Sequence, residues 1–152
     1  QQRTNNTAII NAASQSLKLI QGYIAANDKY PTNSGVSCIS SESGCYRDVA
    51  NAAFDKEIST IGVLPRSIPK AGDTRYGMFY QYASNRTMNG VSRPAVIYYY
   101  LQGSNQQCGL SNIVQIADWT NNVMVSSPYG NTLSNDYGTT LCYVSVPGPE
   151  AA

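Results

Sequence analysis

The sequence predicts an α+β domain, a long N-terminal α-helix packed on an antiparallel β-sheet, and three observations carry that expectation. Ile9, Ala13, Leu17, Ile20 and Ile24 recur at helical spacing and leave Lys18, Gln21 and Asn27 pointing elsewhere, so one apolar stripe is available for burial. From residue 74 the periodicity changes to two: Tyr76, Met78, Tyr80 and Tyr82 alternate with Arg75, Gly77, Phe79 and Gln81. Helical patterns come first and strand patterns after, without the alternation that marks a parallel α/β sheet.

The first helix is expected to stop near Asn27, a C-cap candidate, because Pro31 pushes Tyr30 out of the helical region. A Ser-rich loop, Thr32 to Gly44, follows. A second, shorter helix is expected over Arg47 to Thr60, with Ala50, Phe54, Ile58 and Ile61 on its apolar edge, Asp48 in its first turn, and Gly62 and Pro65 ending it. The strand from residue 74 is expected to form a long-looped antiparallel hairpin with Ala95 to Gln102, with turn chemistry at Asn89-Gly90. In the second strand Ala95, Ile97, Tyr99 and Leu101 oppose Val96, Tyr98 and Tyr100. Ile113 to Ala117 reads as a third strand and Val123 to Val125 as a weak edge strand. Leu141 to Val146 reads as the last, with Cys142, Val144 and Val146 on one face. The expected organisation is one domain: helix over 1–27, a loop with a short helix over 28–73, and a sheet with a disulfide-bracketed, loop-rich region over 74–152.

A chain of 152 residues is large enough to bury roughly two thirds of its unfolded surface. Charged residues make up only 12%, in a background rich in Asn, Ser, Gly and Tyr that is common among extracellular proteins. No stretch approaches the roughly 20 apolar residues of a membrane helix. The first residues lack a signal-peptide core, so export would require a segment preceding Gln1.

Four cysteines without any histidine, and without a Cys-x-x-Cys pair, favour disulfides over a zinc site. Four free thiols remain the alternative. Of three connectivities, Cys38 with Cys45 and Cys108 with Cys142 is preferred, because the first pair closes a short loop and leaves the distal two together. The chain-entropy relation gives about 2.5 and about 3.8 kcal/mol for such loops.

Net charge is +1 but unevenly spread. Residues 1–65 balance Arg3, Lys18, Lys29, Arg47 and Lys56 against Asp28, Glu42, Asp48, Asp55 and Glu57. The next segment holds Arg66, Lys70, Arg75, Arg86 and Arg93 against Asp73. Beyond it stand only Asp118, Asp136 and Glu150.

The helix, its stop at Asn27-Asp28-Lys29-Tyr30-Pro31, the variable loop, the sheet and the distal cysteines together resemble a type IV pilin or pilin-like protein. The segment from Tyr23 to Pro31 looks like the helix-to-loop junction of pilins and of the major pseudopilins of type II secretion. The resemblance implies that an apolar segment lies upstream, anchors the precursor in the membrane and later packs in the filament core. It implies that Cys108 and Cys142 bracket the C-terminal region of the family. The implied function is a structural subunit of an extracellular, cell-surface filament serving adhesion, twitching motility or DNA uptake, with other subunits as partners and no cofactor. The alternatives are a minor tip pilin that binds DNA or a surface ligand, and a type II secretion pseudopilin. The Cys38–Cys45 loop and the second helix have no counterpart in that pattern.

Enzyme chemistry has little to stand on. A chain without histidine has no Ser-His-Asp or Cys-His arrangement. Ser67-Ile68-Pro69-Lys70 matches Ser-x-x-Lys, but Pro69 interrupts the turn and no Lys-Thr-Gly follows. Asp118, Asn121, Asn122, Asn131 and Asp136 offer oxygens to calcium without EF-hand spacing, and turn chemistry explains them better. Arg66, Lys70, Arg75, Arg86 and Arg93, interleaved with Tyr76, Tyr80 and Tyr82, are the candidate nucleic-acid contacts. The run Tyr98-Tyr99-Tyr100 must place rings on both faces of its strand; a core role is the favoured reading, and exposure of some rings for adhesion or subunit contact is the alternative.

Overall fold

A computed structural model of the chain describes residues 1–32, 36–40, 42, 44–47, 51–130 and 137–149. Helix α1 (Gln2–Asn27) packs on an eight-stranded mixed sheet, so the class is α+β. The strands are β1 (Val36–Cys38), β2 (Met78–Tyr82), β3 (Thr87–Met88), β4 (Val91–Ser92), β5 (Ala95–Gln102), β6 (Ile113–Asp118), β7 (Val123–Ser126) and β8 (Thr139–Ser145). Helix α2 (Ala52–Ser59) precedes β2, and the spatial order is β1-β2-β5-β8-β6-β7-β3-β4.

Helix α1 ends one residue later than the sequence suggests. Asp28 takes the left-handed conformation (φ 52°) and donates its N–H to the Ile24 carbonyl, while the Asn27 amide turns back to the Tyr23 carbonyl. The buried stripe is also wider than expected. Ile9, Ala13, Ile20 and Ile24 are covered and Leu17 is half-buried, but Asn6, Ala12, Ser16 and Tyr23 are buried as well.

Asn6 lies inside because its carboxamide behaves as a piece of backbone: Nδ2 donates to the Gln102 carbonyl at 2.9 Å and Oδ1 accepts the Gln102 N–H at 2.7 Å. It satisfies β5 where the ladder ends. Ser16 hides its hydroxyl by donating to the Ala12 carbonyl.

Helix α2 begins at Ala52, later than the expected Arg47, because Asn51 is its N-cap and accepts the Phe54 N–H on Oδ1 at 3.0 Å. Residues 48–50, including Asp48, lie outside the described residues. Phe54 and Ile58 bury its inner edge, and Phe54 stacks on Tyr80 with ring centroids 4.9 Å apart. Ile61 is exposed.

The sheet corrects the antiparallel expectation at one place. β2 and β5 pair antiparallel, as do β5 with β8 and β6 with β7, but β3 pairs parallel to β7. The cause is Asn89-Gly90. Both residues have positive φ (53° and 76°) and close a separate two-residue hairpin, β3–β4, inside the long connection. That hairpin folds across to β7, so β7 is internal and β4 is the edge. The strand expected from residue 74 starts only at Met78, because Gly77 sits at φ 108° with Cys45 packed against it, where a Cβ would fall 2.8 Å from Sγ. β1 falls in the segment read as loop, and β8 starts two residues earlier and ends one earlier than expected.

Two cores result. On the helix side Ala95, Ile97, Tyr99 and Leu101 of β5 join Met78 and Tyr80 of β2, Cys142 and Val144 of β8, and the α1 stripe. On the other face Val96, Tyr98 and Tyr100 join Phe79, Val114, Ile116, Met124 and Tyr143. All three tyrosines of the run are buried, as the favoured core reading expects and against the alternative of rings exposed for contact.

Arg86 is the corner post of the second layer and is only 3% exposed. Its Nη2 donates to Gln81 Oε1 at 2.7 Å, its Nη1 to the Pro94 carbonyl at 3.3 Å, and its Nε to Asn122 Oδ1 at 3.1 Å, which joins β2, the entry to β5 and the β6–β7 turn. Burial lowers its pKa from the ordinary guanidinium value.

Glu57 fastens α2 to the end of α1. It accepts the Tyr23 hydroxyl on Oε2 and the Thr32 N–H on Oε1 at 2.7 Å. Burial works to raise its pKa, but the bonds from Tyr23 and Thr32, with Lys29 nearby, outweigh it and hold the carboxyl below its ordinary 4.5. A depressed pKa gives stability that is complete above the unfolded value and lost as pH falls through the folded one. Glu57→Gln should therefore destabilise at neutral pH by about 1–3 kcal/mol in urea denaturation, and its deficit relative to wild type should shrink below about pH 4.5. A deficit that stays constant down to pH 3 would contradict this role.

Candidate interaction surfaces

The residues singled out from the sequence do not converge on one site. Arg66, Lys70, Arg75, Arg86 and Arg93 read as one stripe in the sequence but fall into several different settings. Arg86 is interior. Arg66 forms an ion pair with Asp55 at 2.8 Å and donates to the Ile39 carbonyl. Arg93 lies at the mouth of β5, next to the β3–β4 hairpin. Lys70 and Arg75 alone keep the company expected of them, tyrosine rings.

Lys70 Nζ sits 4.3 Å above the Tyr76 ring, and Arg75 lies 3.8 Å from the Tyr137 centroid and 5.3 Å from that of Tyr46. Arg47, absent from the sequence-based set, joins them at 5.1 Å from the Tyr46 ring. Nothing in the chain around Arg47 marks it, because the contact depends on how the Cys38–Cys45 loop folds back. Tyr46 is the hinge of this cluster. Its ring meets Phe79 and Tyr100 edge-on, both at 5.6 Å, and so caps the second core.

Beneath that cap the aromatic rings form a file across three strands. Phe79 of β2 is paired with Tyr98 of β5, and Tyr98 with Tyr143 of β8, so their rings stack at 4.5 and 5.3 Å. Burial pushes the Tyr98 phenol above its ordinary value, as do burial and a hydrogen bond with Tyr46 for Tyr100. Burial raises Tyr143 to about 12, against the opposing field of Arg86.

Two disulfides pin the loops at either side of the sheet. Cys108 joins Cys142 of β8, with both sulfurs buried, and the Tyr99 hydroxyl donates to the Cys108 carbonyl at 2.8 Å. Gly130 must be glycine there: φ is 70° and a Cβ would lie 2.2 Å from the Leu141 oxygen. The bracketed region carries β6 and β7 and so is less loop-rich than expected; residues 131–136 lie outside the described residues. Cys45, bonded to Cys38 of β1, is only half-buried.

The oxygens considered for calcium are partly spent. Asp118 accepts the N–H groups of Thr120 and Asn121 and the Asn121 side-chain amide, a closed local turn. The Asn121 amide, side chain first and then backbone, and the Thr120 N–H lower its pKa against burial. Asn131 and Asp136 fall outside the described residues, and among the described residues no group of three or more His, Cys, Asp or Glu is placed to hold a metal. Ser67 is exposed and its supposed partner Lys70 faces Tyr76, so the two are not arranged as nucleophile and base.

The clearest unspent surface is the outer side of α1, where Ala8, Asn11, Gln15, Lys18 and Ala25 stay exposed along most of its length. Comparison with protein-family models, curated proteins and solved structures finds no match.

The buried phenols generate a testable alkaline behaviour. Groups with raised pKa values keep their stabilising effect below the unfolded value near 10 and lose it as pH rises through the folded one, about 12 for Tyr23 and Tyr143. Absorbance at the phenolate band should therefore show a late, cooperative step in which Tyr23, Tyr80, Tyr98, Tyr99, Tyr100 and Tyr143 ionise together with loss of near-UV circular dichroism. Gradual ionisation of all 12 tyrosines with the fold intact would contradict the burial of this file.

Proposed function

We propose that the chain is the globular part of a non-enzymatic, type IV pilin-like filament subunit displayed at the cell surface, with further subunits as its partners. The observation that carries this reading is the division of α1 into two faces. Its inner face is committed to the sheet through Ile9, Ala13, Ile20 and Ile24. The outer face, with Ala8, Asn11, Gln15, Lys18 and Ala25, is free for the helix bundling by which such filaments assemble. Four of these five residues are uncharged and two are alanine, which favours close approach of neighbouring helices.

Two further features support it. The disulfides fit an oxidising compartment outside the cytoplasm. The Cys108–Cys142 bond ties β8 to the turn that follows β5, the place where the resemblance puts a bracketed C-terminal region. A DNA-capturing tip pilin is less well supported, because Arg86 is interior and Arg66 is paired with Asp55. A calcium-binding pseudopilin is less well supported because Asp118 is occupied by its own turn.

Immunoelectron microscopy of the native cells with antibodies to the purified domain should decorate thin surface filaments. Ala8→Trp and Lys18→Glu, both on the free helix face, should abolish the filaments while leaving the domain's circular dichroism unchanged. Diffuse envelope labelling without filaments, or filaments indifferent to both substitutions, would overturn the proposal.

A further inference from the structure

The hairpin β3–β4 does more than interrupt a loop. It lies with the ends of β6, β7 and β8 around a common point, and the Arg93 N–H to Arg86 carbonyl bond and the Ser145 N–H to Asn112 carbonyl bond, each 3.0 Å, hold the walls in place. Between them is a pocket of about 320 Å³, within the roughly 300–1,000 Å³ range of small-molecule sites and at its lower end, where a single ring fits.

The lining is chemically selective. Met88, Val91, Ile113, Val114 and Pro147 supply apolar surface. Asn89, Ser111, Asn112, Ser126 and Ser145 supply amide and hydroxyl groups, and none of these five side chains has a hydrogen-bond partner among the described residues. Arg93 is the one charged residue in the lining, half-buried, with Nη1 bonded only to the Ser92 carbonyl and no carboxylate paired to it among the described residues. No Asp or Glu lines the pocket.

Unspent donors and acceptors around an apolar floor suit a ligand that is rich in hydroxyls on its edge and apolar on its faces, which describes a pyranose ring. A lone guanidinium in that ring of neutral groups adds a preference for one carboxylate, which it engages through two parallel N–H donors. We propose that this pocket binds an acidic monosaccharide unit, a pyranose bearing a carboxylate, as at the end or side of a surface polysaccharide. Asn89 owes its place to the hairpin turn, whose left-handed φ of 53° presents its side chain at the rim. The site is independent of whether the chain assembles into filaments, so it stands or falls separately from the filament reading.

The test is NMR titration of the isolated chain with D-glucuronate as the probe. Saturable shifts of the Met88 methyl and of amides at Ile113 and Ser145 are expected, with a dissociation constant of about 1 mM or tighter. D-Glucose should bind at least about tenfold more weakly, the value of a charge-assisted hydrogen bond. Arg93→Gln should weaken glucuronate binding by about the same factor. Val91→Asp puts a carboxylate into the lining at a half-exposed side chain and should weaken glucuronate binding more than glucose binding. No saturable shift in the wild type, equal binding of the two sugars, or indifference of glucuronate to both substitutions would each overturn the proposal.

Discussion

Strand β5 is covered on both faces and paired on both edges, and every other element takes its position from it. Ala95 to Leu101 are all buried, with Ile97, Tyr99 and Leu101 turned toward α1 and Val96, Tyr98 and Tyr100 toward the aromatic file. Each of the larger side chains contributes roughly 1.5–3 kcal/mol on burial. Loss of either cover would remove an amount comparable with the whole net stability of a domain, roughly 5–15 kcal/mol. A long helix on one side therefore demands a second cover on the other, and Tyr46, Met88 and the buried Arg86 belong to that cover.

This requirement explains why residues that look functional in the sequence turn out to be structural. Arg86 spends its donors on Gln81, Pro94 and Asn122 because the corner of the sheet has carbonyls and amides to satisfy. Tyr98 and Tyr100 are interior because period-two alternation in a doubly covered strand sends both of its faces inward. What remains for interaction is what the two cores do not consume: the outer side of α1, the cations resting on Tyr46, Tyr76 and Tyr137, and the pocket under the hairpin.

Much of the framework was legible in the residues. The stripe from Ile9 to Ile24, the alternation in β2 and β5 and the faces of β8 each rest on a single period, and local periodicity survives tertiary context when burial is one-sided or complete. Asn6 and Ser16 were not legible, because a polar residue enters a helix interface only when a particular partner, here Gln102 or the Ala12 carbonyl, takes its hydrogen bonds. The parallel β3–β7 pair depends on where a two-residue hairpin comes to rest, which no local pattern encodes. The pocket shares that origin, since its walls come from four separated stretches of chain.

Native-state hydrogen exchange resolved by residue tests the dependence on β5 most directly. The amides of Ile97 to Leu101 should fall in the slowest class and open only with global unfolding, while β7 and the β3–β4 hairpin exchange through smaller openings. Exchange of the β5 amides ahead of those in β7, with α1 still protected, would contradict the account.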